Sequence, residues 1–175
     1  MQRYTKTAML LHWLTALLII AAFFLGLTMV AIHGFSPAKL KYYSWHKWLG
    51  VTVLATAAIR LLWRKANTPP PPLASIAPWQ HKVAEGMHYL LYFLIFAVPI
   101  SGYLYTYAAG VPVVYLGLWQ MPAPFEPNAE LKPILKTVHY VLTMTMAAAV
   151  VAHALAALKH HFIDRDVTLK RMLPL

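Results

Sequence analysis

The chain has 175 residues, 60% hydrophobic and only 11% charged, and its 15 Lys and Arg against 5 Asp and Glu give a formal net charge of +10. With a mean hydropathy of +0.56, this composition excludes a soluble globular domain, a disordered chain and a nucleic-acid binder, and points to an integral membrane protein with the lipid bilayer as its solvent. The absence of cysteine removes disulfides, thiolate-ligated iron–sulfur clusters, zinc fingers and thioether-attached haem.

A membrane-crossing helix needs about 20 mainly apolar residues. Residues 8–32 form such a run, with His12 as the only ionisable member. A basic flank precedes it, but the run exceeds the roughly 7–15 residues of a signal-peptide core and no small-residue cleavage site follows, so it reads as a retained first helix. The second span, about residues 43–63, is uncharged only between Lys47 and Arg60, which must snorkel or meet polar partners. The loop over residues 67–78 contains Pro69-Pro70-Pro71-Pro72 and reads as an extended strap.

Residues 86–125 contain no Asp, Glu, Lys or Arg. Their first part reads as a third span, about residues 85–107, with a kink at Pro99. The remainder, rich in Gly, Pro and aromatics, reads as an interfacial loop. The run over residues 137–158 gives a fourth span, about residues 137–159. Four spans with short connections predict one all-α domain, an up-down-up-down four-helix membrane bundle. Ten basic residues fall on the side of the termini and five on the other, which predicts that both termini are cytoplasmic.

Nine histidines are distributed over this frame, and ionisable groups inside spans are functional candidates by default. A single one is commonly a satisfied polar residue at a helix end; the spacing argues for more. His139 and His153 are 14 residues apart, which returns them to one helix face about 21 Å apart along the axis. His12 stands near the inner end of the first span and His46 near the outer end of the second, so His12 matches His153 in level and His46 matches His139. Two stacked histidine pairs in an apolar bundle suit two b-type haems, each iron taking an imidazole on both faces. Ala147, Ala148, Ala149 and Gly50 would make room for the macrocycles. Zinc or copper fits less well, because two histidines per level without Cys, Asp or Glu make a poor tetrahedral site. A histidine-lined metal or proton transporter is a further class, which a haem spectrum would separate.

Several motifs strengthen the haem reading: His12-Trp13, Trp45-His46-Lys47, Arg60-Leu61-Leu62-Trp63-Arg64, Gly86-Met87-His88 and His160-His161-Phe162-Ile163-Asp164. With the His139/His153 pair and the tail Asp166-Val167-Thr168-Leu169-Lys170-Arg171-Met172, they make nearly the whole chain resemble the prokaryotic cytochrome b561 family of dihaem four-helix membrane proteins. The same 14-residue spacing recurs in the cytochrome b subunits of formate dehydrogenases and nickel–iron hydrogenases. The resemblance implies haem ligands at His12, His46, His139 and His153, the four chosen by level, and a place in the bacterial inner membrane.

His88 lies on the inner level and is the rival to His12; the family pattern leaves it as a neighbouring group or propionate partner. Arg60, nearly one turn inside the inner boundary, either pairs with a haem propionate or snorkels. His33 and His81 read as a span-end and a loop histidine. His160, seven residues beyond His153, lies on nearly the same face at the inner interface. With Lys159 or Arg64 it could hydrogen-bond a quinone head group, and the resemblance implies electron exchange with ubiquinone there; the plainer reading is a basic helix C-terminus.

On the outer side Lys39, Lys41, Lys47, Lys132 and Lys136 flank His46 and His139, a positive field that would steer a small anion or an acidic partner. The resemblance implies superoxide as one such donor, since some family members oxidise it and pass the electron to ubiquinone. Two functions follow: a membrane oxidoreductase joining superoxide or another periplasmic donor to the quinone pool, or a non-catalytic relay for a periplasmic redox partner.

Overall fold

A computed structural model describes residues 2–73 and 76–173. Four long helices dominate: α1 (Lys6–Ala31), α2 (Pro37–Ala66), α3 (Pro78–Ala108) and α4 (Leu131–Phe162). Each start has a local cause. Thr5 Oγ1 accepts the Ala8 N–H, and Ser36 Oγ accepts the Lys39 N–H with Pro37 opening the helix. The Gln80 side chain accepts the Ala77 N–H ahead of α3, and the Asn128 carboxamide oxygen accepts the N–H groups of Glu130 and Leu131. Cations fill the last turns of α2 (Arg64, Lys65) and α4 (Lys159), where they complement the helix dipole.

The helices exceed the expected spans. Thirty residues of α2 measure about 45 Å, enough to cross the hydrocarbon layer and both headgroup regions. Helices α1, α3 and α4 are apolar enough to cross a membrane by themselves, whereas α2 carries Lys39, Lys41, Lys47, Arg60, Arg64 and Lys65. Its two innermost charges have polar partners: Lys47 Nζ donates to the Pro112 carbonyl at 3.2 Å and the Arg60 guanidinium to His12 at 3.0 Å. α3 runs as one helix through Pro99.

The bundle packs α1 on α2, α3 on α4, and α2 on α3. Its core joins Val53 and Ala57 of α2, Leu94 and Ile95 of α3, and Met146 and Ala149 of α4. Ala57 is completely buried, and small residues here let backbones approach where lipid gives no hydrophobic drive for association. Leu10, Leu17, Phe24 and Val30 leave α1 exposed to the surrounding hydrocarbon.

The loop between α3 and α4 differs from the irregular segment expected. It contains a two-stranded antiparallel hairpin, β1 (Val114–Tyr115) and β2 (Trp119–Gln120). Its turn has positive φ at Leu116 and Gly117, the conformation that matches strand twist in short hairpins. Trp48 Nε1 donates to the Val114 carbonyl at 2.7 Å, Thr52 meets the Tyr115 hydroxyl at 3.0 Å, and the hydroxyls of Tyr103 and Tyr107 donate to the carbonyls of Pro122 and Met121. The hairpin is thereby fastened to the outer ends of α2 and α3.

At the opposite end Arg171, in the 3-10 helix α5 (Leu169–Arg171), is 8% exposed. It donates to the carbonyls of Gln2 and Pro71, and Trp13 Nε1 donates to the Met172 carbonyl. N-terminal segment, proline strap and C-terminal segment therefore meet in one clasp.

Candidate functional site

At the outer level the ring centres of His46 and His139 lie 6.3 Å apart at 80°. His46 Nδ1 donates to the Ala22 carbonyl of α1 at 3.0 Å, and His139 Nδ1 to the Val98 carbonyl of α3 at 3.1 Å. Both acceptors stand four residues before a glycine. A Cβ added at Gly26 would come within 3.2 Å of His46 Cε1, and one at Gly102 within 2.8 Å of His139 Cε1. The two glycines let each ring lie against the backbone of the neighbouring helix. Because each Nδ1–H is committed to a carbonyl, each Nε2 keeps its lone pair. Gly50, one turn beyond His46, faces open space.

At the inner level His12 and His153 have ring centres 6.3 Å apart at 67°. His88 also joins this level, 5.6 Å from His153. Arg60 Nη2 donates to His12 Nδ1 at 3.0 Å, and the guanidiniums of Arg60 and Arg64 lie 5.2 and 5.7 Å from the Tyr92 ring. Arg60 thus reaches inward to a histidine, and it also lines, with Arg64, a cavity bordered by Arg3, Tyr4, Trp63 and Asn67.

These distances test which metal group fits. An imidazole nitrogen binds a metal at about 2.0–2.1 Å, so two imidazoles on opposite faces of one iron have ring centres about 6.3 Å apart. Both facing pairs match that separation, and the Gly26 and Gly102 cradles hold the outer rings in it. Among the described residues, the only three potential ligand groups with atoms mutually within 4.8 Å are His160, Asp164 and Asp166, so the inner histidines do not make a three-histidine zinc centre. In the His160 group, Lys159 Nζ already holds Asp164 at 2.6 Å.

The family model described as prokaryotic cytochrome b561 matches residues 3–175. The chain belongs to this family. Cytochrome b561 homolog 2 of Escherichia coli (strain K12) is 37% identical over 172 residues, covering 98% of this chain and 92% of that protein. Cytochrome b561 homolog 1 of the same organism is 32% identical over 181 residues, with 99% and 98% covered. Probable superoxide oxidase CybB of Yersinia pestis is 31% identical over 177 residues, with 99% and 97% covered. Membership in the cytochrome b561 family makes the chain a bacterial multi-pass membrane cytochrome and implies haem b as its cofactor.

The remaining candidates of this cytochrome lie at the two ends of the bundle. His160 lines an open cleft of about 600 Å3 with Leu73, Ile76, Gln80, Asp164, Arg165, Asp166 and Val167. Lys159 is tied to Asp164 and Arg64 belongs to the other cavity, so neither lines the His160 cleft. The partners that sequence reasoning missed are the carboxylates: His160 Nδ1 donates to Asp166 Oδ2 at 2.7 Å, with Asp164 at 3.3 Å.

Among the five lysines assigned to the outer side, Lys39 Nζ donates to the Ile32 carbonyl at 2.8 Å, Lys41 lies over the Trp45 ring at 4.8 Å, and Lys47 is bound to Pro112 ahead of the hairpin. Lys132 and Lys136 are exposed at the start of α4, and His33 is exposed between α1 and α2. His81 Nε2 meets the Leu73 carbonyl at 3.1 Å.

Proposed function

We propose that the protein is a dihaem b-type membrane oxidoreductase that carries electrons between the periplasm and the quinone pool, with superoxide as donor and ubiquinone as acceptor. The observation that carries this reading is the pair of facing imidazoles at each of two levels, both 6.3 Å apart. When bound, haem would supply a one-electron centre held by imidazole nitrogens from two helices. His46 and His139 are the outer ligands; His12 and His153 are the inner ligands. His88, at 5.6 Å from His153, shares the inner level and acts as a neighbouring polar group.

Arg60 is the cation available to a haem propionate at the inner level. Leaving His12 Nδ1 for a carboxylate allows that nitrogen to carry the proton that a neutral Nε2 ligand requires. The ten-to-five division of basic residues supports both termini in the cytoplasm and the five-lysine side facing the periplasm. Lysines at the outer level draw in a small anion, which supports superoxide, as does the printed name of the Yersinia pestis relative. At the inner end His160 and Gln80 offer hydrogen bonds to a quinone head group, and Leu73, Ile76 and Val167 offer apolar surface.

A second reading, a non-catalytic relay for a periplasmic redox protein, draws on the hairpin tip, where Leu118 is 88% and Trp119 61% exposed. Stopped-flow spectroscopy of the purified protein separates the two. Superoxide should reduce the haem, seen as growth of the α-band, and added ubiquinone should reoxidise it. Haem left oxidised by superoxide overturns the superoxide reading in favour of the relay, and a protein without a reduced-minus-oxidised α-band overturns both.

A further inference from the structure

We infer that Asp166 and His160 form the proton-delivering pair of the inner cleft, with Asp166 as the positioning residue and His160 Nε2 as the atom that hands protons to a quinone oxygen. The inference rests on the quinone reading above and assigns the group that completes its chemistry. A quinone becomes a quinol only by gaining two electrons and two protons. With superoxide as reductant, two superoxide ions and one quinone with two protons give two dioxygen molecules and one quinol. The electrons come from the outer side; the protons must enter where the quinone sits.

The geometry selects one nitrogen for that task. Asp166 Oδ1 accepts the Thr168 N–H at 2.8 Å, and Oδ2 accepts His160 Nδ1–H at 2.7 Å. The Asp166 N–H also donates to the His160 carbonyl at 3.0 Å, so backbone and carboxylate together hold Asp166 at the Nδ1 edge of the ring. With Nδ1–H committed, a second proton on the imidazole can only reside at Nε2, and this proton is the one released. As a quinone oxygen gains an electron, the Nε2–H bond breaks and an O–H bond forms, while Nδ1–H stays on Asp166. Water at the open mouth of the cleft restores the Nε2 proton, and the cycle repeats for the second oxygen.

The groups facing His160 are accounted for. Asp164 stands at 3.3 Å but is shared with Lys159 at 2.6 Å, Arg165 lines the same cleft, α3 contributes the uncharged Gln80, and the strap contributes Leu73 and Ile76. Asp166 is therefore the carboxylate left to His160 alone.

The test uses full-length, haem-loaded protein in lipid nanodiscs with a short-chain ubiquinone. Asp166→Asn should retain the haem spectrum and bind the quinone, but form quinol at least about tenfold more slowly, with a flattened pH profile. Asp166→Glu should recover part of the rate. Quinol formation by Asp166→Asn at the wild-type rate and pH profile overturns the proton role while leaving the quinone site standing. Unaltered quinone binding and reduction by His160→Ala overturns the quinone site itself. If Asp166→Asn does not assemble, His160→Gln supplies the same decision, because its amide can hydrogen-bond a quinone oxygen but cannot cycle a proton. A wild-type rate in that variant also overturns the proposal.

Discussion

Gly102 stands directly against the imidazole of His139: a methyl group on its Cα would lie 2.8 Å from Cε1 and 3.1 Å from Nδ1. Gly26 bears the same relation to His46 at 3.2 Å. Gly102→Ala must therefore push His139 off the Val98 carbonyl, at a cost of about 1–3 kcal/mol for overpacking. The expected result is loss of the outer haem signal in a redox titration with the inner one retained. Gly26→Ala should show the same effect more weakly.

The ligand pairs are separable by haem content. Either His46→Ala or His139→Ala should remove one and the same haem, and either His12→Ala or His153→Ala the other, read as haem per protein and as the surviving α-band. His88→Ala should keep both haems. Loss of the inner haem in His88→Ala with retention in His12→Ala would reassign the inner ligand.

Arg171 is buried and bonds two carbonyls from distant segments, Gln2 and Pro71. Arg171→Ala leaves both acceptors without this donor, a loss of about 1–3 kcal/mol. It should lower the thermal midpoint and speed proteolysis of the proline strap, with the outer haem spectrum unchanged.

Burial pushes the Asp166 carboxyl up, but hydrogen bonds from Thr168 and His160 outweigh it and hold the group below the usual carboxylate range. A group depressed in the folded state binds fewer protons there than in the unfolded chain, so its stabilisation rises with pH. That contribution is complete above the ordinary carboxylate value, near 3.8, and disappears as pH falls through the lower folded value. The stability gap between the wild type and Asp166→Asn, followed by thermal unfolding, should be constant near neutrality and close under acid conditions.

Superoxide steering by the outer lysines should be sensitive to salt, since charges more than about 8 Å apart are screened at physiological ionic strength. Lys132→Glu with Lys136→Glu should slow haem reduction by superoxide and flatten its dependence on ionic strength. Reduction by an uncharged donor should not change.

Four helices and the levels of their histidines were legible because apolar length and the 3.6-residue period are local properties. The 14-residue interval in α4 alone orders His139 and His153. The hairpin was not legible: Val114 and Tyr115 are strand formers, but the segment's Gly, Pro and aromatic content fits an irregular loop equally well. The tie between His160 and Asp166 also escaped, since it depends on a turn after α4 in which Arg165 takes a φ of 53°, not on helix periodicity. Arg60 and Arg64 are one turn apart and line one cavity, yet only the fold shows that Arg60 meets His12. Gly26 and Gly102 did leave a signal, because glycine inside a spanning helix marks a close approach.

The packing of the bundle gives the histidine pairs a mechanical meaning. Helices α1 and α2 form one antiparallel hairpin and α3 and α4 another, with α2 against α3 as the principal direct face between them. In each proposed ligand pair, one histidine comes from the first hairpin and the other from the second. An iron shared by His12 and His153, or by His46 and His139, is thus a rivet through the interior of two halves that otherwise meet along α2 and α3, at the hairpin and at the terminal clasp. Binding to the assembled form alone stabilises it by mass action, so haem supply should govern how much of this protein persists in the membrane.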